Sequence, residues 1–296
     1  GYVNASDSPY VCWNWKAGGS KNTFNVDDVG YASAAAAGLT AGDVTPTGAS
    51  VGTKQGFSII KYEGNGTSGA TLPHGLTQAP DFAIVKNLEE TESWGIYHSS
   101  QGGRKYSFLN VTNAFSASSA LWNNTSPGAA GITLGDYNGT NKDNIDFIAY
   151  LWHDVPGLQK FGFYPGASVN GGVGDFIECG FRPALILVKK YTPNGDGGVI
   201  FDTARAVFNP GRTQIRPNEP SAETIEYDSF QFDFLANGFR AVGPSGQVNE
   251  YGDALWKTDG TADGVELVKD INPGSHAEIN HGITRFNNSV LFSAND

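Results

Sequence analysis

The chain repeats part of its own sequence, and this repeat constrains the fold more than any other feature. The segment PDFAIVK at residues 80–86 recurs as PALILVK at residues 183–189, an offset of 103 residues (80 to 183) without a gap. Further along, WGIYH at residues 94–98 aligns with GVIFD at residues 198–202, and the offset slips only to 104. Repetition of this kind indicates a tandem array of similar modules, which proteins commonly use to extend, to assemble or to bind.

A third element of the repeat is an aromatic segment that ends in Trp followed by a basic residue. It occurs as VCWNWK at residues 11–16, IAYLWH at residues 148–153 and ALWK at residues 254–257. We interpret all three as strands that close a module, so the first one belongs to a module whose beginning is missing. Because the chain contains no Met, even at position 1, we expect it to be processed or to be a piece of a longer protein.

Composition favours many short strands joined by tight turns. The chain has 39 glycines, 12% aromatic residues and 17% charged residues, and strands favour aromatic side chains whereas turns need the conformations that glycine adopts. The net charge of −11 and the lack of a Lys/Arg run argue against a nucleic-acid partner. No apolar run of about 18 residues is present, so we expect no membrane insertion. Whether Cys12 and Cys179 pair stays open.

Apolar segments recur at roughly ten-residue spacing, separated by Gly, Asn and Pro. The sequence therefore predicts an all-β fold of two tandem sandwich-like modules, with an N-terminal strand and strap, a C-terminal β tail and very little helix. The predicted boundaries are residues 1–55 for the closing strand and the Gly/Ala-rich strap, 56–157 for module one, 158–257 for module two and 258–296 for a blade-like tail. Within module two we expect a strand at residues 160–164 and a tight hairpin at Asn237-Gly238.

Aromatic and amide side chains suggest a place where a sugar could bind. Aromatic rings stack on the C–H faces of sugars and amides fix the hydroxyl groups. The competing interpretation is that these aromatic residues fill the core. The candidate residues are Trp94, Trp122, Asn123, Asn124 and Tyr137, and Tyr97 and Tyr106 are further candidates for the stacking surface.

Oxygen-rich side chains are concentrated in residues 135–146. Calcium takes hard oxygen ligands from such loops, although the spacing is not that of an EF-hand. A solvated hairpin loop is the alternative. The candidate calcium ligands are Asp136, Asn138, Asp143 and Asp146, and we expect no other cofactor.

No motif in the sequence supports catalysis. The glycine-rich pattern at residues 64–69 lacks the following helix that a dinucleotide site needs, and GASVG at residues 48–52 lacks the strand and helix of a nucleophile elbow. A glycosidase needs two carboxylates facing one cleft, and nothing in the sequence pairs Glu89, Glu90, Glu92, Glu219, Glu223 or Glu226. We therefore expect a protein that is not an enzyme.

Several short segments along the chain form a recognisable set. They are GFSII at 56–60, LPHGL at 72–76, APDF at 79–82, WNNT at 122–125, GFRPA at 180–184, FDTAR at 201–205 and FLANGF at 234–239. With these segments the chain resembles, over about residues 10–257, an uncharacterised domain family of marine bacteriophage tail and virion proteins. The resemblance implies a phage appendage or surface protein and implies no catalytic residues.

The C-terminal part resembles a different repeat, found in bacterial secreted proteins and thought to form propeller-like blades. The matching segments are ALWKTDGT at residues 254–261, LVKDINPG at 267–274 and LFSAND at 291–296. Only one copy is present, and one blade cannot bury its own face. We therefore expect this piece to pack on module two, on another subunit or on further copies.

These observations predict a non-catalytic structural protein of a virion appendage or extracellular fibre, located outside the cell or on a virion surface. We expect it to assemble with copies of itself by strand pairing and shared apolar faces. The alternative is a carbohydrate-binding adhesin or receptor-binding module whose partner is a host cell-surface glycan. The residues predicted to mediate assembly are Val11, Trp13, Trp15, Trp256, Val290 and Phe292.

Overall fold

The all-β prediction is confirmed by a computed structural model of the chain. The structure describes residues 10–19, 21–164, 166, 173–191, 197–219, 221–225 and 231–243. It also describes the backbone of four strands at residues 255–257, 266–269, 281–286 and 289–293. Within these residues the only helix is α1 (Asn138–Asn141), a single turn. The strands are β1 (Phe24–Val26), β2 (Val29–Tyr31), β3 (Pro46–Gly52), β4 (Phe57–Glu63), β5 (Thr71–Pro73), β6 (Phe82–Asn87), β7 (Gly95–His98), β8 (Lys105–Phe108), β9 (Ser116–Ala117), β10 (Gly131–Thr133), β11 (Asp146–Trp152), β12 (Val173–Glu178), β13 (Leu185–Val188), β14 (Val199–Asp202), β15 (Thr213–Ile215), β16 (Thr224–Ile225), β17 (Gln231–Leu235), β18 (Gly238–Val242), β19 (Leu255–Lys257), β20 (Glu266–Lys269), β21 (His281–Phe286) and β22 (Ser289–Ser293).

The chain forms two compact units, and the first comprises Gly1–Val111 and Phe115–Gly162. Its main sheet has nine strands in the order β2-β1-β3-β4-β11-β6-β7-β8-β9. Neighbouring strands are antiparallel except β1 and β3, which run parallel. The predicted Trp-ended strand of this module is β11, which lies near the centre and pairs with β4 on one side and β6 on the other.

The sequence of β11 explains how the main sheet obtains one buried face. Phe147, Ala149 and Leu151 are buried, and the residues between them are half-buried, because successive side chains of a strand point to opposite faces. A small second sheet of β5 and β10 contributes Leu72 and Ile132 to the same core. The two layers give the first unit its sandwich-like architecture.

The residues predicted to form a strap are instead part of the main sheet. Strands β1, β2 and β3 all lie between residues 24 and 52 and continue the sheet beyond β4. Ala49 and Val51 are buried in the first core. The stretch contains few large apolar residues, so its composition did not indicate that small side chains such as these cover this end of the core.

The second unit comprises Thr112–Ala114 and Phe163–Asp296. A four-stranded sheet, β13-β14-β15-β16, and a three-stranded sheet, β12-β18-β17, enclose a smaller aromatic core. That core includes Phe201 from the first sheet and Phe232 and Phe234 from the second. The predicted hairpin is present between β17 and β18, where Leu235 pairs with Gly238 and leaves a two-residue loop.

The internal repeat is preserved in strand register. In the first unit Phe82 of β6 pairs with His98 of β7, and in the second unit the aligned residues Leu185 and Asp202 pair in the same way. Both hairpins then continue through two further antiparallel strands, β8 and β9 or β15 and β16. The strand predicted at residues 160–164 is absent, since residues 160–164 are described without strand pairing, and β12 was not predicted.

One close approach in the first unit requires a glycine. A Cβ atom at Gly135 would lie 1.9 Å from the carbonyl oxygen of Ala120, whereas one at Gly128 would meet nothing within 4 Å. We expect Gly135→Ala to lower the free energy of unfolding by about 3 kcal/mol, because the backbone must move to relieve this clash. Gly128→Ala should change it by less than about 0.5 kcal/mol. Urea unfolding of both variants tests this, and equal stabilities would contradict the packing described.

Candidate functional site

A row of aromatic rings crosses the main sheet on the face opposite its core. Phe57 of β4, Trp152 of β11, Phe82 of β6 and His98 of β7 lie side by side in register. The ring of Trp152 stacks on Phe57 at a centroid distance of 4.7 Å and lies 5.6 Å from that of Phe82. Directly opposite residues of neighbouring strands share a face, so strand pairing itself aligns these rings. We call these four residues the aromatic row.

The N-terminal segment, residues 10–16, places a further ring against the aromatic row. Trp15 meets Trp152 edge to face at 6.5 Å and is 50% exposed. Tyr10 and Val11 are also exposed, while Trp13 is half-buried. The prediction that this segment is a strand is wrong, because residues 10–16 have no strand pairing. Contact between the two Trp rings, rather than a hydrogen-bonded ladder, accounts for the position of Trp15.

Charged groups surround one end of the aromatic row. Asp81 accepts a hydrogen bond from the backbone N–H of Asp154 at 2.8 Å, and Asp154 accepts one from the N–H of Phe161 at 2.7 Å. The Phe161 ring in turn stacks on Phe82 at 5.7 Å. The two carboxylates therefore hold in place the loop that covers part of the row.

His98 is held as a structural residue at the end of this row. Its Nδ1 accepts a hydrogen bond from the N–H of Ser100 at 3.2 Å and lies 2.9 Å from the Ser100 hydroxyl. Burial lowers the pKa of His98, although Asp81 and Asp154 oppose that shift. These contacts with a residue two positions further along the chain brace the turn that follows β7.

The structure separates the residues predicted to bind a sugar. Trp122 is 1% exposed and packs edge to face on Tyr97 at 6.1 Å, so its predicted role in binding is wrong and the core interpretation holds for it. Asn123 accepts a hydrogen bond from the hydroxyl group of Ser68 at 3.3 Å. Both Asn123 and Asn124 have the positive φ angles of left-handed turn residues. Trp94 is 37% exposed. The ring that packs on Tyr97 in the core is that of Trp122. The sequence alone could not indicate which Trp residue occupies this buried position.

Tyr137 belongs to a different aromatic group that includes an acidic residue. Its hydroxyl donates a hydrogen bond to Glu92 at 2.9 Å, and its ring lies 5.9 Å from that of Phe108, which packs against Tyr106 at 5.3 Å. Burial and the adjacent Glu92 raise the pKa of Tyr137 to about 12. We call Glu92, Tyr106, Phe108 and Tyr137 the tyrosine cluster. Glu92 is distant from Tyr137 in sequence, so no local pattern could have indicated this contact.

The predicted calcium loop is organised by an amide side chain. Asn141, fully buried, donates hydrogen bonds to the carbonyl oxygens of Gly135 at 2.9 Å and Thr67 at 3.0 Å. Its own oxygen accepts the N–H of Asn65 at 3.0 Å. These three hydrogen bonds hold the loop together, which is the role that calcium was expected to have.

The four predicted calcium ligands do not converge. Asp136, Asn138 and Asp143 are exposed, and Asp146 forms an ion pair with Lys61 at 2.6 Å. Within the described part of the chain, no group of three or more His, Cys, Asp or Glu residues could hold a metal ion.

We expect Asn141→Asp to destabilise the first unit by about 3 kcal/mol or more. The substitution removes two buried donors and places a carboxylate beside carbonyl oxygens. Asp136→Asn, at an exposed position, should change stability by less than about 0.5 kcal/mol. Thermal unfolding with 5 mM Ca²⁺ or with a chelator provides the second measurement. A rise in Tm with Ca²⁺ that Asp136→Asn abolishes would restore the calcium prediction.

The second unit holds an open polar cleft between β15 and β16. The cleft has a volume of about 230 Å³. Within it, Arg216 lies 3.3 Å from Glu219, which also accepts a hydrogen bond from Ser221. The lining residues are Gln214, Arg216, Glu219, Ser221, Ala222 and Thr224.

The described acidic residues considered for hydrolysis all have other partners. Glu89 accepts the N–H of Asp146, and Glu90 pairs with Lys142. Arg205 bridges Glu223 at 2.8 Å and Asp202 at 2.7 Å. Glu226 lies outside the described residues. The arrangement of these carboxylates is that of structural ion pairs and hydrogen bonds.

The remaining predicted residues lie in strands of which the backbone alone is described. Trp256 is in β19, and Val290 and Phe292 are in β22. In the described residues Cys12 and Cys179 form no disulfide. No helix in the described part of the chain is long and apolar enough to cross a membrane.

Comparison with known proteins identifies a family but no activity. No curated protein and no solved structure matches the chain. A family described as a domain of unknown function, DUF7483, matches residues 1–256, which include both units up to β19. The chain therefore belongs to the DUF7483 family.

Proposed function

We propose that this protein is a non-catalytic assembly component of an extracellular structure such as a virion appendage or fibre. The observation that carries the proposal is the exposed apolar surface of residues 10–16. Tyr10, Val11 and Trp15 are all exposed there, and Trp15 contacts Trp152 of the aromatic row. Soluble proteins rarely group such residues without a partner surface, since each exposed ring adds to the unfavourable contact with water.

Other features are consistent with an assembly role. The tandem repeat gives two β units that follow one another along the chain, a sequence organisation that assembling and binding proteins commonly use. The first sheet also ends in short outer strands, and Val29 of β2 is exposed. Sheet edges are a ready template for pairing with another chain. Extracellular location follows from the same proposal and is part of it.

If the N-terminal segment mediates association, Trp15→Ser should weaken it by about ten-fold or more, because large aromatic residues dominate interface energetics. Sedimentation velocity across a range of protein concentrations measures this association. Trp94→Ser is the matched control, since it removes an exposed Trp of the same unit that lies outside the segment. A wild-type protein that stays monomeric at every concentration would overturn the proposal.

A second candidate function is carbohydrate binding, and the tyrosine cluster favours it. The cluster combines three half-buried aromatic rings with a carboxylate, a combination that can stack on a sugar and bond its hydroxyls. The cluster includes Tyr106 and Tyr137, which were candidates from the sequence, together with Glu92 and Phe108, which were not predicted for this role. It does not include Trp122.

If the tyrosine cluster binds a glycan, Glu92→Gln and Tyr137→Phe should each weaken binding by about ten-fold, as expected for loss of a charge-assisted hydrogen bond. A glycan array followed by calorimetry on any positive oligosaccharide provides the measurement. Glu63→Gln, at an exposed position of β4, is the control. An array without a positive signal, or equal binding by all three variants, would remove this candidate.

A further inference from the structure

The tyrosine cluster joins a carboxylate to three aromatic rings beside the first core. Tyr106 and Phe108 are two residues apart on β8, so their side chains project from the same face of that strand. Together with Tyr137 they pack against the first core and stay half-buried, which leaves part of each ring accessible. Glu92 is also half-buried and contacts this group through the hydroxyl of Tyr137. The cluster therefore presents aromatic and acidic surface at one place.

The three rings of the cluster are turned with respect to one another. Phe108 contacts both of the others, with its centroid 5.3 Å from that of Tyr106 and 5.9 Å from that of Tyr137. Its ring plane makes angles of 69° and 44° with theirs. A sugar stacks on one flat ring face, whereas an aromatic cage contacts a rounded ammonium group with several rings at different angles. The arrangement therefore favours a rounded ligand over a flat one.

No basic side chain neutralises the negative charge of the cluster. Among the described residues, no Lys, Arg or His forms an ion pair with Glu92, whose carboxylate accepts the hydrogen bond from Tyr137. Glu90, two residues earlier, differs because it pairs with Lys142. Burial and the adjacent Glu92 raise the pKa of Tyr137 to about 12, so this phenol is neutral at neutral pH. The charge of the cluster thus belongs to Glu92, and it favours a cationic ligand.

We propose that the tyrosine cluster binds the organic ammonium group of a small ligand, such as an amino sugar or a choline headgroup. The cation is placed over the ring faces and beside the Glu92 carboxylate, within about 6 Å of a ring centroid. This inference rests on the second candidate function, ligand binding at this cluster, and names the charge and shape of the group that is bound.

Primary and quaternary ammonium groups use the cluster differently. A primary ammonium donates hydrogen bonds to the Glu92 carboxylate, and these bonds are stronger because both groups are charged. A quaternary ammonium has no N–H to donate, so it depends on the ring faces and on the charge of Glu92. A neutral analogue of either ligand lacks both attractions, although its shape is nearly the same.

Pairs of ligands that match in shape and differ in charge test the proposal. Choline is compared with dimethylbutanol, the neutral analogue in which carbon replaces nitrogen, and glucosamine is compared with glucose. Ligand-observed NMR titration of the full-length protein measures the dissociation constants. We expect at least one cation to bind about ten-fold more tightly than its neutral partner. Equal binding within both pairs, or no saturable binding of either cation, would overturn the proposal.

Variants of the full-length protein assign cation binding to the cluster. Glu92→Gln keeps the shape of the side chain, removes its charge and should weaken cation binding by about ten-fold. Tyr106→Leu removes one ring and should weaken it by about three-fold, and Tyr106 takes no part in the hydrogen bond between Glu92 and Tyr137. Glu63→Gln, which removes an exposed charge on β4, is the matched control.

Thermal unfolding of each variant checks that the first unit is folded. A cation affinity that neither Glu92→Gln nor Tyr106→Leu changes would contradict the proposed site. Loss of affinity in these two variants, with Glu63→Gln unchanged and all three folded, supports it.

The preferred cation identifies the source of the ligand. Tighter binding of glucosamine than of choline indicates an amino sugar, and the reverse order indicates a choline headgroup. Both results support the proposal, since the ammonium group is common to the two ligands.

The glycan array separates this inference from the candidate function on which it rests. If the cluster binds a neutral oligosaccharide and neither cation is preferred over its neutral partner, the ammonium inference is wrong and glycan binding stands. If neither the cations nor the glycans bind, both fail. Choline binding that Glu92→Gln weakens, without any bound glycan, supports the inference and removes carbohydrate as the ligand.

Discussion

Pairing of β11 with strands on both of its sides is the interaction on which the first unit depends. This strand joins β4 to β6 and so unites the N-terminal strands with the repeated hairpins in one sheet. The alternating burial of its side chains distinguishes the two faces of the main sheet. Phe147 and Leu151 face the core, and Tyr150 and Trp152 face the opposite side. The aromatic row exists because Trp152 is held between Phe57 and Phe82 in that same register.

Strand register explains which parts of the fold could be predicted from sequence. The repeated segments were recognisable because β6 and β13 each contain four contiguous apolar residues and pair with the next strand in a local hairpin. The strands β1 and β3 were not, since their parallel pairing joins residues that are far apart and their buried residues are small. Local pattern therefore identified the hairpins, whereas long-range pairing decided the extent of the sheet.

The candidate sites were predicted less well than the fold, for a related reason. Trp122 and Trp94 are the same residue type, yet one is buried and the other is exposed, and only the folded neighbours decide between these fates. The loop at residues 135–146 has the composition of a calcium site. However, a single buried amide, Asn141, already donates hydrogen bonds to the carbonyl oxygens of Thr67 and Gly135. A sequence shows which groups are available and leaves their partners undetermined.

The two units differ in whether the first strand of the repeated hairpin, β6 or β13, has a partner strand on its other side within the described residues. In the first unit the Trp-ended strand lies between two partners, so the apolar residues of β6 are buried. In the second unit β13 is the end strand of its sheet within the described residues, and the corresponding strand, β19, pairs with β20. An edge strand with exposed apolar residues favours association with another chain unless it is covered.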